Sequence, residues 1–233
     1  MAMTLLVIVV VSASLLVGAA WGLYGKLPTR LQGFLVAVAG GALIVSVMAE
    51  LIEPASEALP LWSLLLGVLT GALVFTVVDT LLDRHSEDAQ GMGLLAAVTL
   101  DGIPENLALG VALIGAGVNE VAALAGSIVL SNLPEAAGGA AKMHDDGDSR
   151  PKVLGVWGLC ALLLSAAALL GNVALSGAPD VALAWIKVFA AGAVLASLAT
   201  EIFPQAYRDD DDTVGIAVAL GVCAAYALHT LGG

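Results

Sequence analysis

Eight apolar runs, each about as long as a bilayer is thick, dominate this sequence of 233 residues. Because the hydrocarbon core of a membrane is about 30 Å thick and a helix rises about 1.5 Å per residue, one crossing needs roughly 20 apolar residues. We therefore expect an all-α membrane protein with eight transmembrane helices in a single domain, residues 1–233. The runs lie near residues 3–23, 33–53, 61–82, 91–115, 119–141, 153–175, 181–206 and 213–231.

Composition excludes several classes of protein. Hydrophobic residues form 60% of the chain and charged residues 12%, whereas a soluble domain has about 25% charged residues. The net charge of −12 leaves no basic patch for phosphates, so we expect no nucleic-acid partner. The sequence contains no HExxH segment, no Asp-based catalytic motif and no serine nucleophile with a base. We therefore expect neither an enzyme nor a prosthetic cofactor.

The soft metal-binding side chains are few and scattered. Cys160 and Cys223 both lie inside apolar runs, which favours two small buried side chains over a disulfide or a metal knuckle. His85, His144 and His229 are far apart in the sequence. We expect each histidine to lie at solvent or at the membrane interface rather than in a metal site.

Lysine and arginine fall on one side of the predicted membrane. Seven of the eight lie in odd-numbered connections, counted from the one after helix 1, and the eighth, Lys187, lies within helix 7. Because cytoplasmic loops retain Lys and Arg, we expect a multi-pass protein of the cell membrane with both termini outside. Lys187 is expected to extend outward to the membrane surface. The seven are Lys26, Arg30, Arg84, Lys142, Arg150, Lys152 and Arg208.

Two pairs of segments indicate an internal repeat. Residues 38–52 align with residues 189–203 at five identities, and Ile103-Pro-Glu105 resembles Leu133-Pro-Glu135. Their positions predict inverted repeats, with helices 1–3 related to 6–8 and helix 4 related to helix 5. Transporters of this architecture bind substrate near the membrane midplane, where the repeats meet. The identities are Ala39 with Ala190, Gly41 with Gly192, Ala42 with Ala193, Ser46 with Ser197 and Glu50 with Glu201.

Acidic residues inside predicted helices carry the chemistry. Each costs roughly 2.5–3.5 kcal/mol to insert, so it needs a partner, a water-filled cavity or an ion. Asp101 and Glu105 are four residues apart and share one face of helix 4. Two such carboxylates repel each other unless a cation lies between them or one is protonated. Pro104 cannot donate a hydrogen bond to the carbonyl of Leu100, so a kink with an exposed backbone oxygen is expected there.

Helix 5 repeats this design with Ser131, Asn132, Pro134 and Glu135. By crossing direction, these side chains and those of helix 4 fall near the middle of the membrane. Oxygen ligands from two kinked helices form a plausible cage for a divalent cation. The alternative is a hydrogen-bonded polar seam between the helices with protonated carboxyls.

Two further acids lie towards the ends of the predicted helices. Glu50 is expected near the outer end of helix 2 and Glu201 near the inner end of helix 7. We expect these two acids to be an outer and an inner station, that is, two successive binding positions for a metal ion on one transport path. The other interpretation is that both are interfacial acids that reach solvent.

The segments Asp101-Gly-Ile-Pro-Glu-Asn-Leu-Ala-Leu-Gly110 and Ser131-Asn-Leu-Pro-Glu135, together with eight crossings and outside termini, resemble the ZIP family of divalent-metal transporters. In that family helix 4 typically reads His-Asn-x-Pro-Glu-Gly, and helix 5 has a His-Glu-x-Pro-Glu type of segment. The resemblance implies that Asp101 and Ser131 stand at the histidine positions. It also implies that Glu105, Asn132 and Glu135 are ligands of a one- or two-metal site.

This sequence departs from the family pattern at the ligands that zinc favours. Gly102 replaces an asparagine and both imidazoles are absent, which leaves an all-oxygen set suited to harder ions such as manganese or magnesium. The expected substrate is a divalent metal ion of the zinc, iron or manganese class. The expected partners are that ion and the lipid bilayer, and a homodimer stays open. The rival function is a secondary transporter of another cation or a small solute, with the same carboxylates as proton or sodium couplers.

Overall fold

The computed structural model describes residues 2–25, 27–86, 92–114 and 118–232, without the side chains of residues 2–3, 83–86, 92–98, 101, 118–120 and 231–232. The described residues are helical with short connections and contain no strand, which confirms an all-helical chain. They form eight helical rods. These are α1 (Ala2–Tyr24), α2 (Thr29–Ala58), α3 (Leu61–Ser86), α4 (Met92–Ala112), α5 (Val118–Asp145), α6 (Arg150–Ala174), α7 (Asp180–Asp209) and α8 (Val214–Gly232).

Six of these rods are long and apolar enough to cross a membrane, as expected of a multi-pass membrane protein. They are α1, α2, α3, α5, α6 and α7. The described apolar part of α8, Val214–Thr230, is shorter, and α4 is not among the six. Crossings by α4 and α8 therefore stay a prediction.

The rods α2 and α7 extend beyond their predicted ends, because each continues through a π-helical turn. In α2 the turn Val47–Ile52 is followed by Glu53–Ala58, and in α7 the turn Leu198–Ile202 is followed by Phe203–Asp209. A proline lies in the first turn of each final segment. Since proline lacks an amide hydrogen, it interrupts the regular bonding of the turn before it, and the wider π turn accommodates that gap.

The rods pack in four main pairs, and the predicted repeat relates the first two pairs below to each other and the last two to each other. The rod α1 packs along α5, and α4 packs along α6; likewise α2 packs along α8, and α3 packs along α7. The rods α2 and α7 also contact each other. The largest apolar core lies where α2, α4, α5 and α7 meet, and it includes the fully buried Leu43, Leu109, Ile128 and Leu198.

Glycines allow the backbones of α2 and α8 to touch. A Cβ atom added to Gly41 would collide with the carbonyl oxygen of Val218, and one added to Gly221 would collide with that of Val38. Small residues permit this close approach between membrane helices, where dispersion contacts rather than the hydrophobic effect hold the helices together.

The pair α3 and α7 makes the same kind of contact. A Cβ atom on Gly192 would collide with the carbonyl oxygen of Val68, and one on Gly71 would collide with that of Phe189. In the sequence alignment Gly192 corresponds to Gly41, and Phe189 corresponds to Val38. The aligned segments of α2 and α7 therefore use the same two positions to contact their partner helices.

Candidate metal site

Two glutamates from adjacent proline-containing helices form the centre of the candidate site. Glu105 on α4 is 5% exposed, and Glu135 on α5 is partly buried. Pro104 and Pro134 lie inside continuous helices, so each acid follows a proline without the helix ending there. Asn106, the next residue on α4, turns its amide back to the carbonyl oxygen of Gly102 at 2.9 Å.

Glu135 on α5 lies within electrostatic range of the predicted acids on α4 and α7. The carboxylate of Glu135 interacts electrostatically with those of Glu105 and Glu201. Among the described side chains, no group of three or more His, Cys, Asp or Glu residues is close enough to hold one metal ion. The side chain of Asp101 lies outside the described residues. The structure thus brings three of the predicted acids into one electrostatic neighbourhood, and direct coordination by them stays a prediction.

The predicted neutral ligands are buried and already oriented. Asn132, 4% exposed, donates its Nδ2 to the carbonyl oxygen of Val11 on α1 at 3.2 Å. A carbonyl can only accept, so the amide nitrogen must face Val11 and the Oδ1 oxygen faces away from it. The Ser131 hydroxyl donates its hydrogen to the carbonyl oxygen of Ile128 at 3.0 Å. The lone pairs of Ser131 Oγ therefore stay available to bind a metal ion.

Sequence reasoning missed two neighbours of these acids. The Ser197 hydroxyl, 1% exposed, lies one turn before Glu201 on α7 and has no hydrogen-bond partner within the described part of the chain. Cys160 on α6, also buried, interacts electrostatically with Glu135 and accepts a weak hydrogen bond from Thr99 at 3.8 Å. The predicted repeat could have indicated Ser197, because Ser197 aligns with Ser46. Nothing in the sequence pointed from Cys160 to Glu135.

The comparisons with known proteins add no assignment. No protein-family model matches the chain, and no curated protein is significantly similar to it in sequence. The likeness to ZIP transporters therefore depends on the two Pro-Glu segments and on the order of the helices. Any function must be argued from the residues of this chain.

A second group of charged side chains lies near the end of the bundle where α2 ends and α7 begins. His229 Nδ1 on α8 is 3.4 Å from Glu50 Oε1 on α2. His229 is 38% exposed, as expected of a histidine at solvent or at the membrane interface, and the packing of α8 along α2 brings it to a residue 179 positions away. The Lys187 ammonium interacts electrostatically with Glu50 and Glu57. Lys187 also lines a cleft between helices, and its extension to the membrane surface stays a prediction.

That cleft has a volume of about 580 Å³ and lies between the end of α2, the end of α4 and the start of α7. Its charged walls come from Glu57, Asp180 and Lys187, and its apolar walls include Val111 and Ile114. A water molecule occupies about 30 Å³, so the cleft has room for a hydrated ion. Lys187 thus lines a space that a cation can enter, and it also interacts electrostatically with Glu50, the predicted outer station.

Proposed function

We propose that this protein is a ZIP-like transporter that carries divalent metal cations through a carboxylate-rich site between α4 and α5. One observation carries the proposal: Glu105 and Glu135 each follow a proline inside an apolar helix bundle, and the charge of Glu105 acts on Glu135. Acids that only hold helices together do not need this arrangement, since neutral Ser, Thr or Asn side chains serve that purpose in membranes.

The energetic reason is the cost of two negative charges at low dielectric. Neighbouring carboxylates in such a place disfavour joint ionisation, whereas a divalent cation between them neutralises both. The Oδ1 of Asn132, directed away from Val11, and the Ser131 oxygen are available as neutral ligands. An oxygen-rich set favours manganese- or magnesium-like ions relative to a site that contains histidine. The substrate class is therefore a divalent cation of the zinc, iron or manganese group, with a preference shifted towards the harder ions.

We further propose that all eight helices cross the membrane as inverted repeats, with both termini outside. The equivalent glycine contacts of α2 with α8 and of α7 with α3 support this repeat. So does the presence in each repeat of one π turn that carries an acid, Glu50 in α2 and Glu201 in α7; α6 has a further π turn, Leu170–Ala174, without an acid. In such architectures one set of helices moves against the other around a central site. Glu201, which acts electrostatically on Glu135, is then the next acid on the inner side of the path.

The test is uptake of Mn²⁺ and Zn²⁺ by vesicles that contain the purified protein. Glu105→Gln and Glu135→Gln keep the shape of each side chain and remove its charge, so we expect folded variants with no metal uptake. Glu53→Gln is the matched control, because Glu53 is an exposed acid on α2 and its loss is expected to leave uptake unchanged.

Melting temperatures in detergent must accompany the uptake assay, so that loss of folding is not mistaken for loss of transport. Normal metal uptake by both folded glutamine variants contradicts the proposal. A current or proton flux that needs Glu105 and Glu135 but no metal favours the rival, a secondary transporter of another solute.

A further inference from the structure

Glu50 and His229 come from different helices and meet where a sequence pattern could not place them. Glu50 lies in the π turn of α2, and its side chain is 11% exposed; that of His229, near the end of α8, is 38% exposed. The contact joins a carboxylate oxygen to an imidazole nitrogen. These are two of the donor atoms that zinc-class ions bind in proteins.

The distance between the two atoms is informative. Charge-assisted hydrogen bonds between nitrogen and a carboxylate oxygen are about 2.7–2.9 Å long, and the observed 3.4 Å is distinctly longer. Two ligand atoms bound at about 2.0–2.1 Å to one tetrahedral ion lie about 3.3–3.4 Å apart. The separation between Glu50 Oε1 and His229 Nδ1 is that of a weak direct contact, and a shared tetrahedral ion fits between the two atoms without a change in their spacing.

We propose that Glu50 and His229 form a second divalent-cation site, distinct from the site between α4 and α5 and selective for zinc-class ions. Its role as an outer station for transported metal rests on the function proposed above. Two protein ligands leave the remaining positions of the ion to water, which suits a station that binds and releases rather than a structural site with four protein ligands. Because one ligand is an imidazole, the site prefers Zn²⁺ and Co²⁺ to Mg²⁺ and Mn²⁺.

Lys187 gives this site a competing charge. Its ammonium interacts with Glu50 and also lines the cleft whose other charged residues are Glu57 and Asp180. The same ammonium therefore acts on Glu50 and on the charged residues of the cleft. While the metal is absent, the ammonium offsets the charge of Glu50; when metal binds, it opposes the ion and keeps the affinity moderate.

The experiment measures Zn²⁺ binding to the purified full-length protein by calorimetry, with Glu105→Gln and Glu135→Gln both present to remove the central site. We expect one Zn²⁺ to remain bound. Adding Glu50→Gln or His229→Gln is expected to weaken this binding by at least about tenfold, the lower end of what the loss of a supporting residue costs in metal sites. Co²⁺ is expected to show the visible absorption of a tetrahedral complex, which disappears in the same variants.

Two matched controls accompany these variants. Glu53→Gln changes an exposed acid on the same helix. His144→Gln changes a histidine whose Nδ1 contacts the backbone oxygen of Asp148. Both are expected to bind Zn²⁺ as the double glutamine background does. His229→Lys places a positive charge opposite Glu50 without the imidazole, so it should preserve the melting temperature and lose the metal.

Zn²⁺ binding by the background that survives Glu50→Gln and His229→Gln, or a background that binds no Zn²⁺ at all, overturns the proposal. The same holds if His229→Lys binds Zn²⁺ like the background, since the ion then does not need the imidazole. These outcomes are independent of the uptake test, because the central glutamates are already absent. Failure here leaves the proposed transport through Glu105 and Glu135 standing, and failure of that transport leaves this binding measurable.

Discussion

Replacing Gly192 by alanine tests the close contact between α7 and α3. The added Cβ would collide with the Val68 carbonyl oxygen and lie 2.8 Å from its carbonyl carbon, whereas ordinary contact begins at 3.4 Å. The helices must therefore separate by roughly 0.6 Å or more at this point, and the obstacle is rigid backbone rather than a flexible side chain. Overpacking of this kind costs about 1–3 kcal/mol, and a backbone collision belongs at the upper end of that range.

A glycine-to-alanine change also has a favourable part. Alanine stabilises a helix interior by about 0.5–1 kcal/mol relative to glycine. The expected net loss for Gly192→Ala is therefore about 2 kcal/mol. For a chain of this size, that corresponds to a melting temperature lower by about 4–8 °C. Gly126→Ala on α5 is the control, because no atom lies within 4 Å of its added Cβ; it should raise the melting temperature by about 1–4 °C.

The assay is thermal unfolding of both variants in the same detergent. The two substitutions are chemically identical and both lie inside helices. Changes of opposite sign in the melting temperature therefore isolate the contribution of helix packing. If Gly192→Ala is as stable as Gly126→Ala, the backbones of α3 and α7 are not in contact at this position. The glycine contacts of α2 with α8 then have no counterpart between α7 and α3, and they no longer support an inverted repeat.

Three further outcomes are expected. A cysteine introduced at Ser56 should react with an impermeant reagent from outside the cell, whereas one at Ser149 should not; the reverse labelling contradicts the orientation drawn from Lys and Arg. Asn132→Asp removes the amide donor to the Val11 carbonyl, which also accepts a hydrogen bond from the Ser14 hydroxyl, so calorimetric unfolding should show a loss of about 0.5–1.5 kcal/mol; an unchanged melting temperature refutes this bond. Asp101→His supplies an imidazole, so competition assays should show uptake shifted from Mn²⁺ towards Zn²⁺; an unchanged preference places Asp101 outside the site.

The positions of the helices were determined by the sequence, because helix formation in an apolar run depends on local properties. Each of the eight predicted runs coincides with a described rod to within about five residues at either end. The pairing of Glu105 with Glu135 was also predictable. Both acids follow a proline in neighbouring helices, and adjacent helices of opposite direction bring such positions to the same depth.

The faces of the helices were decided by tertiary structure alone. In a soluble helix an apolar stripe marks the buried face, but a membrane helix is apolar on all sides and its packing follows small residues and shape instead. Cys223 illustrates the limit: it was expected to be buried like Cys160, yet it lies exposed on α8.

The contact between His229 and Glu50 shows the same limit at a candidate binding site. Nothing local to either residue indicates the other, since the chain crosses the bundle repeatedly between them. Their meeting depends on the register of α8 along α2, which is fixed where Gly41 and Gly221 let the two backbones touch. The sequence alone therefore determined which residues carry charge and where along each helix they lie. Only the packing of backbone against backbone decided which of those charges face one another.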